Sequence, residues 1–404
     1  MEALEGGKLL YKLDERGECE LKKRFGISIN IILLGVVSFL TDISSEIILP
    51  ILPFFIVALG GAGLAVGLVG GLEGSISSIL KVFSGYFSDK LGKRKALVAA
   101  GYFTSSVSKL VLPFSTTVSH VFFLRSSDRV GKGVRTAPRD ALIADYSAQE
   151  RRGRAFGFHR AMDSAGAIIG SVLALLLFWF LELDFNKIIL IGAVLAFSAL
   201  IPLVLVREPR KTQKLVSLEI GLKRLPRSLR LFIIVASVFA LGNFTYMFFI
   251  LRAQSLFEGR GGIYISIALY VWFNIIYTAF SVPAGVLSDK FGRRGVLAFG
   301  YFLFGVTCLG FIVSNSMTWL TLFFAVYGVT NAIVEGTQRA FAADLAPVDL
   351  RGTGLGTFHT AVGLAALPGG IIAGLLWSSV SPEMMFLYGA ILGFFAAGFL
   401  VSVK

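Results

Sequence analysis

In a chain of 404 residues, 55% are apolar before any of the 45 glycines is counted, and only 16% are charged. Soluble domains are about 45–50% apolar with glycine included and about 25% charged, so a water-soluble globule is excluded, as is a disordered chain. The formal charge of +13 would suit a nucleic-acid partner, but the apolar content is that of a polytopic membrane protein, and two cysteines make no disulfide framework or zinc cluster.

Residues 1–27 carry six basic and six acidic side chains. They lack the apolar core of a signal peptide and read as a cytoplasmic leader. A membrane-spanning helix needs roughly 20 mostly apolar residues. Such stretches follow at 28–53, 62–83, 95–114, 118–141, 155–180, 187–206, 229–251, 262–283, 295–314, 318–339, 353–377 and 384–402. The fourth of these twelve is interrupted by charges. The connections are short except at 207–228, a basic linker opening Arg207-Glu208-Pro209-Arg210-Lys211. It separates an N-terminal six-helix bundle, 28–206, from a C-terminal one, 229–404.

An even number of spans puts both termini on one side. That side then holds 29 Lys and Arg, and the other holds only Lys187, Arg252 and Arg260. Basic loops stay in the cytoplasm, so both termini are expected there, with the protein multi-pass in the plasma (inner) membrane. Lipid headgroups account for the net charge, and no nucleic-acid partner is implied.

The two halves repeat. Gly85-Tyr-Phe-Ser-Asp89-Lys90-Leu-Gly92-Lys93-Arg94 returns 200 residues later as Gly285-Val-Leu-Ser-Asp289-Lys290-Phe-Gly292-Arg293-Arg294. Ala144-Asp145, Arg152-Gly153 and Gly157 return as Ala343-Asp344, Arg351-Gly352 and Gly356. The expected fold is all-α, with 12 transmembrane helices as two parallel six-helix repeats. These residues resemble the major facilitator superfamily, whose signature is a Gly-x-x-x-Asp-Arg/Lys-x-Gly-Arg/Lys-Arg/Lys loop between spans two and three, often echoed between eight and nine. The resemblance covers residues 28–402, and span four is similar to that of a charge-rich prokaryotic branch. It implies a secondary transporter that works by alternating access. The antiporter motif of span five is absent and only Gly166-x-x-x-Gly170 stands there, which speaks against proton-antiport drug export.

In the signature loops, Gly85, Gly92, Gly285 and Gly292 allow a tight turn and close helices. Asp89 and Asp289 sit beside bases, Arg94 and Arg293 among them, and can latch the two helix bundles in one state and release them in another. Small residues four apart, Gly63, Gly67, Gly71 and Ser75 in span two and Gly370 and Gly374 in span eleven, read as helix-packing seams.

Charges inside spans cost at least about 2.5–3.5 kcal/mol each at the bilayer centre and should face protein or water. On span four, Arg125, Asp128, Arg129, Lys132, Arg135, Arg139 and Asp140 fall within one arc of about 140° at 100° per residue. Asp128 can pair with Lys132 at i,i+4, yet five bases against two acids leave positive charge over. Asp42, Glu46 and Glu73 in spans one and two are the proton-coupling candidates. The same stripe (Arg125, Asp128, Arg129, Lys132 and Arg135) supplies substrate-binding candidates, joined by Asn243, Asn331 and Glu335 from the less charged second half. Position 42 corresponds there to Gly242, Glu73 to Phe273 and Lys132 to Asn331. His120, His159 and His359 are scattered and no phosphate-binding Gly-x-x-x-x-Gly-Lys-Ser/Thr loop occurs, so neither an enzyme nor an ATP-driven pump is expected, and no cofactor or metal. The expectation is a monomer that moves a small solute, anionic by the charge of span four, with protons as the second partner. The alternatives are a transporter-fold assembly factor or receptor without turnover, and an exporter of neutral or cationic compounds.

Overall fold

The computed structural model describes residues 27–147, 151–208, 221, 225–257, 259–347 and 350–402. The leader up to residue 26, and 209–220 and 222–224 of the linker, lie outside the described residues. Among the described residues there is no strand.

Span one is Ile29–Ile48, continued after Pro50 by Leu52–Ala58. Spans two and three are Gly63–Leu91 and Arg94–Val111, span four is Val118–Asp145, and span five is Arg152–Trp179. Span six joins Phe185–Ser198 to Leu200–Leu205. Span seven is broken, Arg227–Gly242 then Met247–Gln254. Spans eight to twelve are Gly259–Phe291, Arg293–Val313, Met317–Leu345, Arg351–Ser379 and Pro382–Val401.

Eleven of these are long and apolar enough to cross a membrane. Span four has the length, 28 residues, and falls short only through its charges. Hydropathy places every span but misplaces several ends. Span two runs to Leu91, not 83, and span eight to Phe291, not 283, because apolar content tracks the lipid slab while the helix continues into the polar zone. Asp89 and Asp289 therefore ride on the last helical turn. The turn itself is made at Gly92 (φ 67°) and Gly292 (φ 90°), a left-handed geometry that disfavours a Cβ. Gly85 has no such role, since a Cβ there would make ordinary 3.5 Å contact with Ala137.

Within the first half, span one packs on five and six, and span four on two and three; in the second half, nine packs on ten and twelve, and eight on ten. The halves meet where span two lies against eleven and span five against eight. The glycine seams belong to the first of these contacts. A Cβ on Gly374 would sit 2.7 Å from the Gly63 carbonyl oxygen, and Gly67 and Gly370 abut backbone to backbone. Leu64 N–H donates to Ser378 Oγ at 3.2 Å on the same edge. Trp179 stacks on Tyr264 between spans five and eight, and Phe178 meets the same ring at a tilt of 56°. The end of the bundle opposite the signature loops is thereby closed, and the loop end is open.

Candidate functional site

Span four is pressed between two neighbours by its glycines. A Cβ on Gly131 would meet the Gly101 carbonyl at 2.5 Å and Ser105 Oγ at 2.6 Å in span three, and one on Gly133 would meet Leu80 Cβ at 2.6 Å in span two. Lys132, between them, is left facing the open side. Span one is held as closely to span five. Cβ atoms on Gly166 and Gly170 would lie 3.1 Å and 2.8 Å from the Cβ atoms of Asp42 and Glu46, so these two glycines set the height and facing of both acids.

The ionic stripe divides in two. Its far end is a closed network in which Arg125 bonds Glu73 and donates to Asp128 Oδ2 at 3.1 Å, while Arg129 lies 3.2 Å from Glu73 and 3.7 Å from Asp128. Arg125 is 2% exposed. Two acids balance two bases here, and Asp128 takes arginines as partners in place of Lys132. Arg125 and Arg129 are thus directed at Glu73 and Asp128, and none of the four is among the residues lining the cavity described next. Lys109 of span three adjoins this network and donates to Ser44 and Ser45.

The other end of the stripe lines a cavity of about 900 Å³ that opens between the halves at the signature-loop end. Asp42, Lys81, Asp89, Lys132, Arg135, Arg139, Asp140, Arg160 and Asp163 come from the first half, and Glu335, Arg339 and His359 from the second. Many of these charges are engaged. Arg139 donates to Asp140 at 2.9 Å, Arg339 to Glu335 at 2.8 Å, and His159 lies 3.5 Å from Asp163. Arg160 donates to Tyr277 Oη at 2.5 Å, and that tyrosine donates to Glu335, so spans five, eight and ten are tied across the mouth. Arg135 sits over the Tyr102 ring at 4.3 Å and donates to Ser105 Oγ at 2.5 Å. Among the described residues, Lys81, Lys132 and Asp42 have no ion-pair partner.

One turn along span one from the cavity residue Asp42, span one meets span eight. Glu46 Oε2 accepts from Tyr270 Oη at 2.9 Å and from Asn274 Nδ2 at 3.2 Å. Beyond it, Tyr246 in the break of span seven donates to the Leu49 carbonyl at 3.2 Å, beside the interruption in span one. The second half meets this point with aromatic rings, Phe273 stacking on Tyr327 at 4.8 Å and Tyr270 on Phe273 at 5.7 Å. Asn331 turns its amide back to the Tyr327 carbonyl, and Asn243 caps the first segment of span seven. Neither is among the cavity's lining residues, whereas Glu335 is.

The family model described as Major Facilitator Superfamily matches residues 34–266 and 259–403. The chain belongs to the major facilitator superfamily. An uncharacterized MFS-type transporter of Methanocaldococcus jannaschii is 49% identical over 370 residues, covering 91% of this chain and 92% of that protein. The multidrug resistance protein MdtH of Salmonella newport is 27% identical, covering 84% and 85%. Among solved structures, a mutant of the nucleoside transporter NupG superposes with a TM-score of 0.77 at 16% identity, covering 93% of this chain and 99% of that one. The superfamily's two-repeat helical fold and its general activity, transport across a membrane, therefore apply here.

Both copies of the superfamily's signature loop are built alike. Arg94 joins Asp89, at 2.7 Å, to Asp145 at the end of span four. Arg293 joins Asp289, at 3.2 Å, to Asp344 at 2.9 Å at the end of span ten. Each of these ion-pair clusters joins helices of one half and does not tie the two bundles to each other as the sequence suggested. The residues that sequence reasoning missed are Tyr270, Tyr277, Arg160 and Arg339. Tyr270, Asn274 and Tyr277 share one face by i, i+4 and i+7 spacing, a signal that was present in span eight. Arg160 and Arg339 read only as bases at span ends.

Proposed function

We propose that this protein is a secondary active transporter that moves a small anionic solute across the plasma membrane, driven by protons. The observation that carries this reading is the cavity wall. Lys81, Lys132 and Arg135 face an open space with no carboxylate bonded to them, in a protein layer where unpaired charge is costly. An anion entering from the open end supplies the missing partner, and Arg135, held flat on Tyr102, presents a planar donor fork to it. By the distribution of Lys and Arg the open end faces the cytoplasm, and the conformation is inward-facing.

For coupling, Glu73 bridges two arginines and is the least free of the three acids. Asp42 lines the cavity beside Lys132, and Glu46 bonds only neutral donors of the opposite half. Protonation of Glu46 removes the charge that holds Tyr270 and Asn274, which loosens spans one and eight and favours the opposite opening.

The test begins with a thermal-shift screen of small carboxylates and phosphate esters on the purified protein. Lys132→Gln and Lys81→Gln should each weaken the best ligand tenfold or more, as loss of a desolvated charge pair does, and uptake of that ligand into proteoliposomes should follow an imposed proton gradient. Undiminished affinity in both variants would refute the anion assignment. Binding without turnover would favour a receptor on the transporter fold.

A further inference from the structure

Lys109 stands apart from the cavity, beside the network of Glu73, Arg125, Asp128 and Arg129 but in ion-pair contact with neither of its acids. It is 1% exposed, in the middle of the first half. Its ammonium donates to Ser44 Oγ at 3.0 Å and to Ser45 Oγ at 2.8 Å, both on span one. Among the described residues it makes no ion pair.

The four charges of the Glu73 network around it already match one another. Span four presents Arg125, Asp128, Arg129 and Arg135 toward it, and span two contributes Glu73. The two acids and the first two arginines satisfy each other, while Arg135 is taken up by Tyr102 and Ser105. Span six, which also packs on span three, carries one base, Lys187, at its exposed outer end. Span one meets Lys109 with hydroxyls alone. Arg135 and Lys109 are therefore the two bases of this layer without a carboxylate partner, and only Lys109 is a lysine. Arginine keeps its proton in proteins, whereas a buried lysine exchanges its own readily.

We propose that Lys109 is a proton-binding site of the transport cycle. The proposal rests on the proton-driven reading above and adds a basic site to its acids. As an ammonium, Lys109 ties span three to span one through two charge-assisted hydrogen bonds. When the Nζ–H bond breaks and the proton passes to water, forming hydronium, the same contacts become neutral and about half as strong. Span one carries both the cavity acid, Asp42, and the inter-half bridge, Glu46. Its attachment to span three thus follows the protonation of Lys109, and the inter-half bridge moves with it.

The experiment needs no substrate. Spin labels at Val57→Cys and Val380→Cys, on the closed end of each half, report the opening of the full-length protein in nanodiscs, in a background with Cys19→Ser and Cys308→Ala. In this parent the ratio of open to closed should change with pH by up to tenfold per unit across a midpoint, the limit for one linked proton. Lys109→Met and Lys109→Arg should each abolish the transition at that midpoint and leave only the titration of Glu46, whereas Glu46→Gln should leave that midpoint in place. A parent that shows no pH dependence would overturn the proton-driven reading and this site with it. A dependence that survives with the same midpoint in both Lys109 variants would overturn the site alone. Should the variants not fold, the ¹⁵Nζ signal of Lys109 in the parent protein decides. A switch to the neutral amine shift at the midpoint of opening supports the site, and an ammonium signal unchanged from pH 5 to 10 overturns it.

Discussion

Gly374→Ala should open the closed end of the protein. In the present conformation the added methyl would lie 2.7 Å from the Gly63 carbonyl oxygen and 2.8 Å from Leu64 Cα, all backbone atoms that no rotamer change can move. To reach the 3.4 Å of ordinary contact, spans two and eleven must part by about 0.7 Å at that level. Overpacking of this kind costs about 1–3 kcal/mol. The cost applies only while the two helices touch, so it vanishes in a state where that end has opened. The open-to-closed ratio should therefore rise about 5- to 150-fold. Spin labels at positions 57 and 380 would read this as growth of a longer-distance population, and Gly85→Ala, whose nearest neighbour is an unstrained 3.5 Å away, serves as the silent control. A distance distribution identical to the parent's, together with a lowered thermal midpoint, would refute the reasoning. It would mean that the seam is strained equally in both states and is not the surface that parts.

Glu73→Gln should cost about 3–5 kcal/mol, because it leaves Arg125 and Arg129 buried with Asp128 alone; guanidinium or thermal unfolding in detergent checks it, and a Glu73→Met, Arg125→Met double variant should recover part of the loss. Asp89→Asn should slow transport more than Asp289→Asn and should leave ligand affinity unchanged in both. The first copy's arginine is 15% exposed against 28% for the second, and Asp289 itself is 68% exposed, so the outer pair is worth at most about 1 kcal/mol; paired rate and binding measurements on the two variants decide.

The parts of this molecule written within one helix or one short loop were open to reading in advance. The repeat of Asp89 at Asp289 is a pattern in the chain itself, and the stripe of span four follows from helical periodicity alone. The partnership of Glu73 with Arg125 was half legible, since unpaired charge in lipid must find an opposite, but periodicity does not say which acid answers which base. By spacing Asp128 could pair with Lys132, but it takes Arg125 and Arg129 and leaves Lys132 to the cavity. What pairs across the two halves was not legible. The bond from Tyr270 to Glu46 depends on how one six-helix unit is rotated against the other, and no spacing within span one or span eight encodes that angle. The glycine seam illustrates the same limit. Its spacing announces a close contact, but only the fold shows that the partner is Gly370 and Gly374 in the other half.

Span four also bears on how the protein is made. Alone in lipid, its seven charges would cost far more than its apolar residues return at about 2.5–3.5 kcal/mol each, so it cannot enter the bilayer as an independent unit. The partners outside the span that hold its four arginines, Ser38, Glu73, Tyr102 and Ser105, all precede it in the chain. When span four emerges from the ribosome its counterparts are already in the membrane, and it can be drawn against spans two and three without crossing bare lipid. Chain order thus doubles as assembly order: a circular permutant beginning with span four would meet the translocon before its partners exist.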